Sequence, residues 1–203
     1  SDQYPDASVE VVVLDDLPFR RSLPSGVRYT VLNSKESLVD SVLEWRKYVA
    51  KARPDIVVSF LIRANVCNAL LSKSYSYRSV ICERMHMSSH LTINHSGLKL
   101  HAAKLIPRLA YPFADLVLGV SDGVTKDLVE NFGVSLRRAD TVYNPYPIED
   151  IETSALQLTN EGAPSKEYIV SVGRLSKSKN VKTLLDAFLL SGESADLVVL
   201  GEG

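Results

Sequence analysis

Short runs of β-branched and aliphatic residues alternate with helix-like stretches along most of this 203-residue chain. Strands that alternate with helices of 10–18 residues predict parallel pairing, with right-handed crossovers that place helices on both faces of a sheet. The sequence therefore predicts an α/β fold. Six strand-like runs precede residue 146 and two follow residue 166, and they cover residues 9–14, 27–32, 55–60, 79–83, 115–121, 140–145, 167–175 and 197–203.

A change in composition divides the chain. Residues 149–166 are polar and contain few apolar positions. We predict a Rossmann-like domain over residues 1–146, a linker or peripheral helix-loop over 147–166, and the start of a second Rossmann-like domain over 167–203. The chain begins with serine and ends directly after a strand-like run, so we expect an internal piece of a longer protein.

Several local features can be predicted from residue spacing. The continuous apolar run at 55–60 is typical of a fully buried parallel strand. Ser34 is expected to cap a helix that ends near Arg53, because Pro54 follows. Residues 84–96 lack any hydrophobic period and are predicted to form a loop. Ser121 or Asp122 should begin a helix that closes at Gly133.

Composition excludes several classes of protein. Basic and acidic residues number 23 and 24, which argues against broad binding of nucleic acid. The two cysteines, Cys67 and Cys82, lie in apolar segments and are expected to be buried thiols rather than a redox pair. The longest apolar stretch, residues 56–62, is too short to span a bilayer. We expect a cytoplasmic protein.

The segment VGRLSKSKN, residues 172 to 180, suggests an anion site. A strand ends at Val172, Gly173 permits a tight turn, and Arg174 and Lys179 precede a helix that Asn180 can cap. A helix N-terminus flanked by two cations suits a pyrophosphate. The alternative is a surface turn with ordinary lysines. Gly201-Glu202-Gly203 follows the next strand and would line the same crevice.

The end of strand 79–83 offers a second candidate. Glu83 could accept a proton or bind an acceptor hydroxyl, with Arg84 and His86 beside it. The alternative for Glu83 and Arg84 is a surface ion pair of little energetic value. A zinc site could be suspected from three nearby histidines, His86, His90 and His95. The residues around them resemble a loop, however, and no acidic residue or cysteine lies at ligand spacing from them.

The ordered motifs VYNP, VGRLSKSKNVKTLLDAF and LVVLGEG, with DLVLGVSDGVTKDLVENFGV upstream, resemble the glycosyltransferase group 1 family over residues 55 to 203. This resemblance implies a retaining enzyme of GT-B fold, which binds a nucleotide sugar between two Rossmann-like domains without an obligatory metal or other cofactor. Relative to the family pattern, the opening βα unit and the paired-glutamate motif are missing. We therefore expect a piece that is incomplete at both ends and that, alone, is inactive or nearly so.

The resemblance also assigns roles to residues. Arg174 and Lys179 would hold the donor diphosphate, where two fixed cations stabilise the negative charge that develops on the leaving group. Gly173 would shape the turn, Gly201 and Glu202 would approach the nucleotide, and Asn144 would lie near the crevice. The family layout places Glu83, Arg84 and His86 on the acceptor side, with Glu83 as a catalytic candidate together with Arg174 and Lys179.

The implied activity is transfer of a hexosyl-type sugar from a UDP- or GDP-sugar to a glycan or lipid-linked glycan in polysaccharide biosynthesis. Two alternatives stay open: a GT-B-fold phosphorylase or epimerase, and a non-catalytic nucleotide-binding or scaffolding relic. The basic stretch 97–113 could lie on anionic lipid, giving peripheral membrane contact at the inner face, or it could be an ordinary sheet-covering helix.

Overall fold

A computed structural model describes residues 7–16, 23–24, 26–157, 164 and 166–203. The chain divides into two compact units, residues 1–144 and 145–203. Residues 158–163 and 165 of the predicted linker lie outside the described part. The helix Ile148–Gln157 occupies much of the remainder of that segment.

All strand pairing in the described residues is parallel, as the alternation of strands and helices predicts. The first unit holds a two-stranded pair and a four-stranded sheet of order β3-β4-β5-β6. Its strands are β1 Glu10–Val13, β2 Arg28–Val31, β3 Ile56–Phe60, β4 Arg78–Glu83, β5 Leu116–Gly119 and β6 Ala139–Thr141. Its helices are α1 Leu38–Ala52, α2 Ile62–Tyr75, α3 Met87–Asn94, α4 Gly97–Ala110 and α5 Asp122–Phe132.

The second unit contains two parallel strands and two helices in its described part. They are α6 Ile148–Gln157, β7 Tyr168–Val172, α7 Val181–Ser191 and β8 Asp196–Leu200. A short 3-10 turn, Lys177–Lys179, precedes α7. No described residue of this unit is fully buried. The described residues thus hold six strands before residue 146 and two after 166, which matches the sequence prediction.

Helices α2 and α5 cover one face of the four-stranded sheet. Ile81 and Val117 pair across β4 and β5 and are buried against Val66 of α2 and Leu128 of α5. The opposite face is not buried within the described residues. Ile56, Val58 and Phe60 of β3 are exposed there, so the prediction of a fully buried strand at 55–60 is wrong for one of its two faces.

Two local predictions require correction. The N-cap of α1 is Ser37, whose hydroxyl accepts a hydrogen bond from the Asp40 amide; Ser34 is buried and its hydroxyl is bonded to Ser41 and Asp15 instead. Residues 87–94, predicted as loop, form α3. Met87 and Leu91 lie one turn apart and are both buried, which supplies the apolar face that a helix needs.

Other boundaries agree with the sequence. The first helix ends at Arg53, which adopts a left-handed C-cap conformation. Helix α5 begins after Ser121, whose hydroxyl accepts a hydrogen bond from Val124, and ends at Gly133. Helix α4 continues three residues past Pro107. No helix in the described ranges has both the length and the apolar character that crossing a bilayer requires.

Candidate functional site

The loops that follow β7 and β8 run side by side. The Gly173 amide donates a hydrogen bond to the Leu200 carbonyl at 2.9 Å, and the Leu175 amide donates one to the Glu202 carbonyl at 2.9 Å. Parallel pairing therefore continues beyond the strand ends into both glycine-containing loops. The structure brings the loop of Gly173 and Arg174 next to the loop of Gly201 and Glu202, at the carboxyl edge where α/β sheets bind ligands.

The glycines of the second loop allow this close approach. A Cβ atom at Gly201 would lie 1.8 Å from the Gly173 carbonyl oxygen, and one at Gly203 would lie 2.3 Å from the Leu175 carbonyl oxygen. Both distances are far below van der Waals contact. The G-x-G pattern is thus explained by packing of the two loops, whether or not a nucleotide binds there.

Arg174 and Lys179 lie at the two ends of a compact turn. The Ser176 amide donates to the Arg174 carbonyl at 2.8 Å, and the Lys179 amide donates to the Ser176 carbonyl at 2.9 Å. Both cationic residues are exposed, and neither takes part in an ion pair with another described residue. Exposed, unneutralised cations just before a helix suit an anionic ligand.

The start of α7 differs in detail from the expected cap. Asn180 occupies the N-cap position but adopts a left-handed conformation with φ of 49°, and its side chain caps no amide. Its Oδ1 atom accepts a hydrogen bond from the Thr183 hydroxyl at 3.0 Å. The left-handed residue lets the 3-10 turn that carries Lys179 run directly into the helix.

Glu83 is buried beneath the carboxyl edge of the four-stranded sheet. Its side chain is 1% exposed, and its Oε1 atom accepts hydrogen bonds from the Tyr111 hydroxyl and from Asn65 Nδ2. Burial raises the pKa of this carboxyl, although the bonds from Tyr111 and Asn65 oppose that rise. The structure therefore argues against direct contact between Glu83 and an acceptor, because the carboxylate faces the protein interior.

A chain of polar side chains, which we call the Glu83 network, extends this arrangement. Asn68 Nδ2 donates to Ser59 Oγ at 2.9 Å, Ser59 donates to Asn65 Oδ1 at 2.7 Å, and Asn65 and Tyr111 donate to Glu83. The network joins β3, β4 and α2 to the 3-10 turn Tyr111–Phe113. The Oδ1 atom of Asn68 is buried without a hydrogen-bond partner among the described residues, whereas the bonds that converge on Asn65 and Glu83 fix the relative position of the elements that carry them.

Arg84 and Asn144, two of the residues singled out in the sequence, contact each other. Arg84 follows β4 and Asn144 follows β6, and Arg84 Nη2 donates to Asn144 Oδ1 at 3.1 Å. Nearby in the chain, the Tyr143 hydroxyl donates to Asp122 Oδ2 at 2.9 Å. The guanidinium of Arg84 is exposed and held in place, which leaves its remaining donors able to bind an oxygen-rich ligand.

His86 lies beside a buried carboxylate. Its Nδ1 atom is 3.5 Å from Asp127 Oδ2 and accepts a hydrogen bond from the Ser89 amide at 3.4 Å. The bond from Ser89 requires an unprotonated Nδ1, whereas an ion pair with Asp127 requires the imidazolium. The His86 side chain is half exposed, so one edge of its ring can meet solvent or a ligand.

Asp127 is the anchor of the loop that carries His86. Its carboxylate accepts hydrogen bonds from the Ser88 amide at 2.9 Å, the Ser88 hydroxyl at 2.5 Å and Asn131 Nδ2 at 2.9 Å. Burial raises the pKa of Asp127, but these hydrogen bonds and the nearby His86 lower it more, so the net shift is downward. The loop after β4 is therefore fixed to α5.

The described residues contain no group of three or more His, Cys, Asp or Glu side chains placed to hold a metal ion. His86 and His90 do fall one turn apart at the start of α3, but the Nδ1 atom of His86 is bonded to Ser89 and that of His90 to Asn94.

Sequence reasoning missed three residues that shape this edge of the sheet: Asn65, Tyr111 and Asp127. Asn65 lies in α2 and Asp127 lies in α5, and a polar side chain that is buried in a helix cannot be told from an exposed one without the tertiary fold. Tyr111 lies between Ala110 and Pro112, and the only available signal was its place in an otherwise apolar stretch.

No family model matches the chain. A curated protein of Campylobacter jejuni subsp. jejuni serotype O:2 is 30% identical over 161 residues, which cover 79% of this chain and 43% of that protein. It is named N-acetylgalactosamine-N,N'-diacetylbacillosaminyl-diphospho-undecaprenol 4-alpha-N-acetylgalactosaminyltransferase. The chain thus spans less than half the length of this glycosyltransferase.

Solved structures of the Anabaena protein Alr3699/HepE are similar in fold. The complex with UDP and glucose gives a TM-score of 0.57 at 20% identity and covers 85% of this chain and 47% of that one. The complex with UDP gives 0.57 at 19% identity over 87% and 47% of the two chains. The complex with UDP-glucose gives 0.50 at 18% identity over 87% and 56%. These likenesses confirm the predicted α/β fold class of GT-B type.

Proposed function

We propose that the protein carrying this sequence is a glycosyltransferase that moves a sugar from a nucleotide-sugar donor to a glycan or lipid-linked glycan acceptor. The observation that carries the proposal is the 30% identity over 161 residues to a transferase whose name specifies a diphospho-undecaprenol-linked acceptor. The fold likeness to a protein solved with UDP and with UDP-glucose supports a nucleotide-sugar donor, for which UDP- and GDP-sugars are the candidates.

Arg174 and Lys179 are the proposed ligands of the donor diphosphate. They are exposed cations on one turn, unpaired with any described carboxylate, at the carboxyl edge of β7 and just before α7. Departure of the nucleoside diphosphate places negative charge on its phosphate oxygens. Two fixed cations stabilise that charge more in the transition state than in the ground state, and this difference lowers the barrier.

The backbone beside the two cations supports the same role. Gly173 leaves the loop without a side chain, and a Cβ atom there would meet no heavy atom within 4 Å. An open backbone of this kind allows a bulky diphosphate to approach closely. Gly201 and Glu202 form the neighbouring loop and are the proposed contacts of the nucleotide.

Arg84, Asn144 and His86 are the proposed polar groups of the acceptor side. Arg84 is held by Asn144, and His86 is held beside Asp127, so both present oriented side chains at the carboxyl edge of the first unit's sheet. The same proposal includes four further properties of the enzyme: retention of configuration, transfer of a hexosyl-type sugar, absence of an obligatory metal and peripheral membrane contact. The lipid-linked acceptor in the relative's name supports the last of these.

Calorimetric titration of the natural polypeptide with UDP and with GDP tests the donor assignment. We expect one of the two to bind, and Arg174→Ala to weaken that binding by roughly tenfold or more, because a charge-assisted hydrogen bond is lost. Lys177→Ala is the matched control, since this exposed lysine lies in the same turn. Equal affinity in the wild type and the Arg174 variant would remove the assignment.

Product analysis tests the reaction class. With a labelled nucleotide sugar and a lipid-linked acceptor, a glycosyltransferase moves the label to the acceptor and releases the nucleoside diphosphate. An epimerase would leave the label on the nucleotide, and a non-catalytic protein would bind the donor without consuming it. Either of these two results would overturn the proposed activity.

A further inference from the structure

Helix α4 presents an apolar stripe to solvent. Leu98, Leu105 and Leu109 follow one another at steps of seven and four residues, and their side chains are 89%, 52% and 61% exposed. At 100° per residue the three positions fall within one narrow sector of the helix, together with Ala102. A surface helix of a globular protein normally shows polar residues on this side.

The opposite side of α4 anchors the helix to the protein. Pro107 and Ala110 are buried, and Leu100 and Ala103 pack against the main core cluster. Among the described elements, α4 packs mainly against α2, α3, α5 and the turn Tyr111–Phe113. Helix α4 therefore has two apolar sides: one is buried against the core and the other is exposed to solvent. A helix that only covers the core requires the first side alone.

Cationic side chains flank the exposed stripe. His101, Lys104 and Arg108 fall along one flank of α4, at steps of three and four residues, and Lys99 lies on the other. None of the ion pairs among the described residues uses Lys99, Lys104 or Arg108. The helix thus combines an exposed leucine stripe with unneutralised positive charge on both sides.

The surrounding sequence continues the same charge bias. From Arg84 to Ala114 the chain has no aspartate or glutamate, whereas it has four Lys or Arg residues and all four histidines of the protein. The chain as a whole carries a net charge of −1. Positive charge is therefore concentrated on the segment that contains α4.

We propose that the outer face of α4 docks on an anionic lipid bilayer. The leucine stripe would enter the boundary between head groups and acyl chains, while Lys99, Lys104 and Arg108 would contact lipid phosphates. Charge complementarity favours lipid over a protein partner, because the cations border the apolar stripe on both sides, as at a head-group boundary. This surface would be the membrane contact of the proposed transferase, and its binding to lipid does not require the transferase activity.

Co-sedimentation with vesicles tests the docking surface. The natural polypeptide is mixed with vesicles of phosphatidylcholine containing phosphatidylglycerol, or of phosphatidylcholine alone. We expect binding to the anionic vesicles and much weaker binding to the neutral ones. The triple variant Lys99→Glu/Lys104→Glu/Arg108→Glu should bind anionic vesicles roughly tenfold or more weakly, because each basic residue near the surface contributes to attraction.

A second triple variant tests the apolar part. Leu98→Ser/Leu105→Ser/Leu109→Ser should also lose most binding, and it should fold normally because these side chains are exposed. The control Lys47→Glu/Lys51→Glu/Lys126→Glu makes the same change of charge on other exposed sites and should bind like the wild type. Equal loss in this control would mean that net charge alone drives binding, which would overturn the docking surface.

Insertion can be followed independently of affinity. In Leu105→Trp, the indole replaces an exposed leucine in the middle of the stripe, and anionic vesicles should shift its emission to shorter wavelength. Trp45, the only native tryptophan, is buried and provides a constant background. The proposal would be overturned by an unshifted emission or by absence of vesicle binding. Sedimentation of the protein without vesicles would also overturn it, because this result would indicate that a second copy of the chain occupies the surface. Failure of these tests would leave UDP or GDP binding unaffected, so the two proposals can fail separately.

Discussion

The Tyr111 hydroxyl donates a hydrogen bond to the carboxylate of Glu83, and both side chains are buried inside the first unit. Glu83 ends β4 and Tyr111 begins the 3-10 turn after α4, so the bond joins segments 28 residues apart. The pair adjoins the loop that carries Arg84 and His86, because Arg84 directly follows Glu83 in the chain. We infer that it sets the position of that loop without touching a ligand.

Removing the Tyr111 hydroxyl should destabilise the first unit. Tyr111→Phe leaves the buried Glu83 carboxylate with one donor fewer, and an unsatisfied buried group costs roughly 1–3 kcal/mol. Urea titration followed by the fluorescence of Trp45, which lies in the same unit, measures the free energy of unfolding. Tyr146→Phe is the control, because Tyr146 is largely exposed. A free energy of unfolding equal to that of the wild type in Tyr111→Phe would show that the bond is weak.

The stability of the first unit should depend on the ionisation of Glu83. Burial raises the pKa of this carboxyl above its ordinary value of 4.5. Between 4.5 and the raised pKa, the folded chain binds more protons than the unfolded chain, so the free energy of unfolding falls as the pH rises. The slope from one such group is at most about 1.4 kcal/mol per pH unit.

Glu83→Gln isolates this effect. Glutamine keeps an oxygen that can accept the bonds from Tyr111 and Asn65, but it does not titrate. The difference in unfolding free energy between the variant and the wild type should grow in favour of the variant as pH rises above 4.5, and then level off. Asp127 and Asp115 have lowered pKa values and act below 3.8 with the opposite sign, and they cancel in the comparison. Parallel pH profiles would contradict the assigned ionisation of Glu83.

The sequence predicted the number, order and parallel direction of the strands, because alternating apolar runs and helical periods are local properties. It could not predict which faces would be covered. The run Ile56–Phe60 is apolar at nearly every position, but only the face carrying Ser59 is covered, by α2. Burial depends on what packs against a strand, and this information is not contained in the strand itself.

Local spacing indicated some residues of the candidate site, but it could not predict the direction in which a side chain points. The turn around Arg174 combines glycine, cations and a helix start within a few positions, so spacing alone made it a candidate anion site. Glu83 was a candidate for binding an acceptor hydroxyl because it ends a strand, but the direction of its side chain follows from the alternation along β4. Glu83 shares the face of Ile81, which packs under α2.

Cys67 should be unreactive in the folded protein. Burial raises its pKa to about 12, and its side chain lies in the cluster formed with Trp45, Val49 and Tyr77. At pH 8 the thiolate fraction should be roughly a thousandfold below that of an ordinary cysteine. Titration with a disulfide reagent in a Cys82→Ala background measures the rate before and after unfolding in urea. Rapid modification of the native protein would show that the cluster opens readily.

Gly119 should not tolerate a side chain. It ends β5, and a Cβ atom there would lie 2.4 Å from the Thr125 hydroxyl and 2.7 Å from the Thr125 amide nitrogen. Helix α5 would have to move away from the sheet, so we expect Gly119→Ala to destabilise the first unit by about 1–3 kcal/mol.

Gly123→Ala is the matched control for this substitution. Gly123 lies in the first turn of α5, and the nearest atom to an added Cβ is the Ser121 hydroxyl oxygen at 3.9 Å. Alanine relieves the entropy cost of glycine in a helix, so this variant should be neutral or more stable by less than about 1 kcal/mol. Urea titration followed by Trp45 fluorescence compares both variants with the wild type. Equal stability of the two would mean that α5 does not approach β5 as closely as Gly119 indicates.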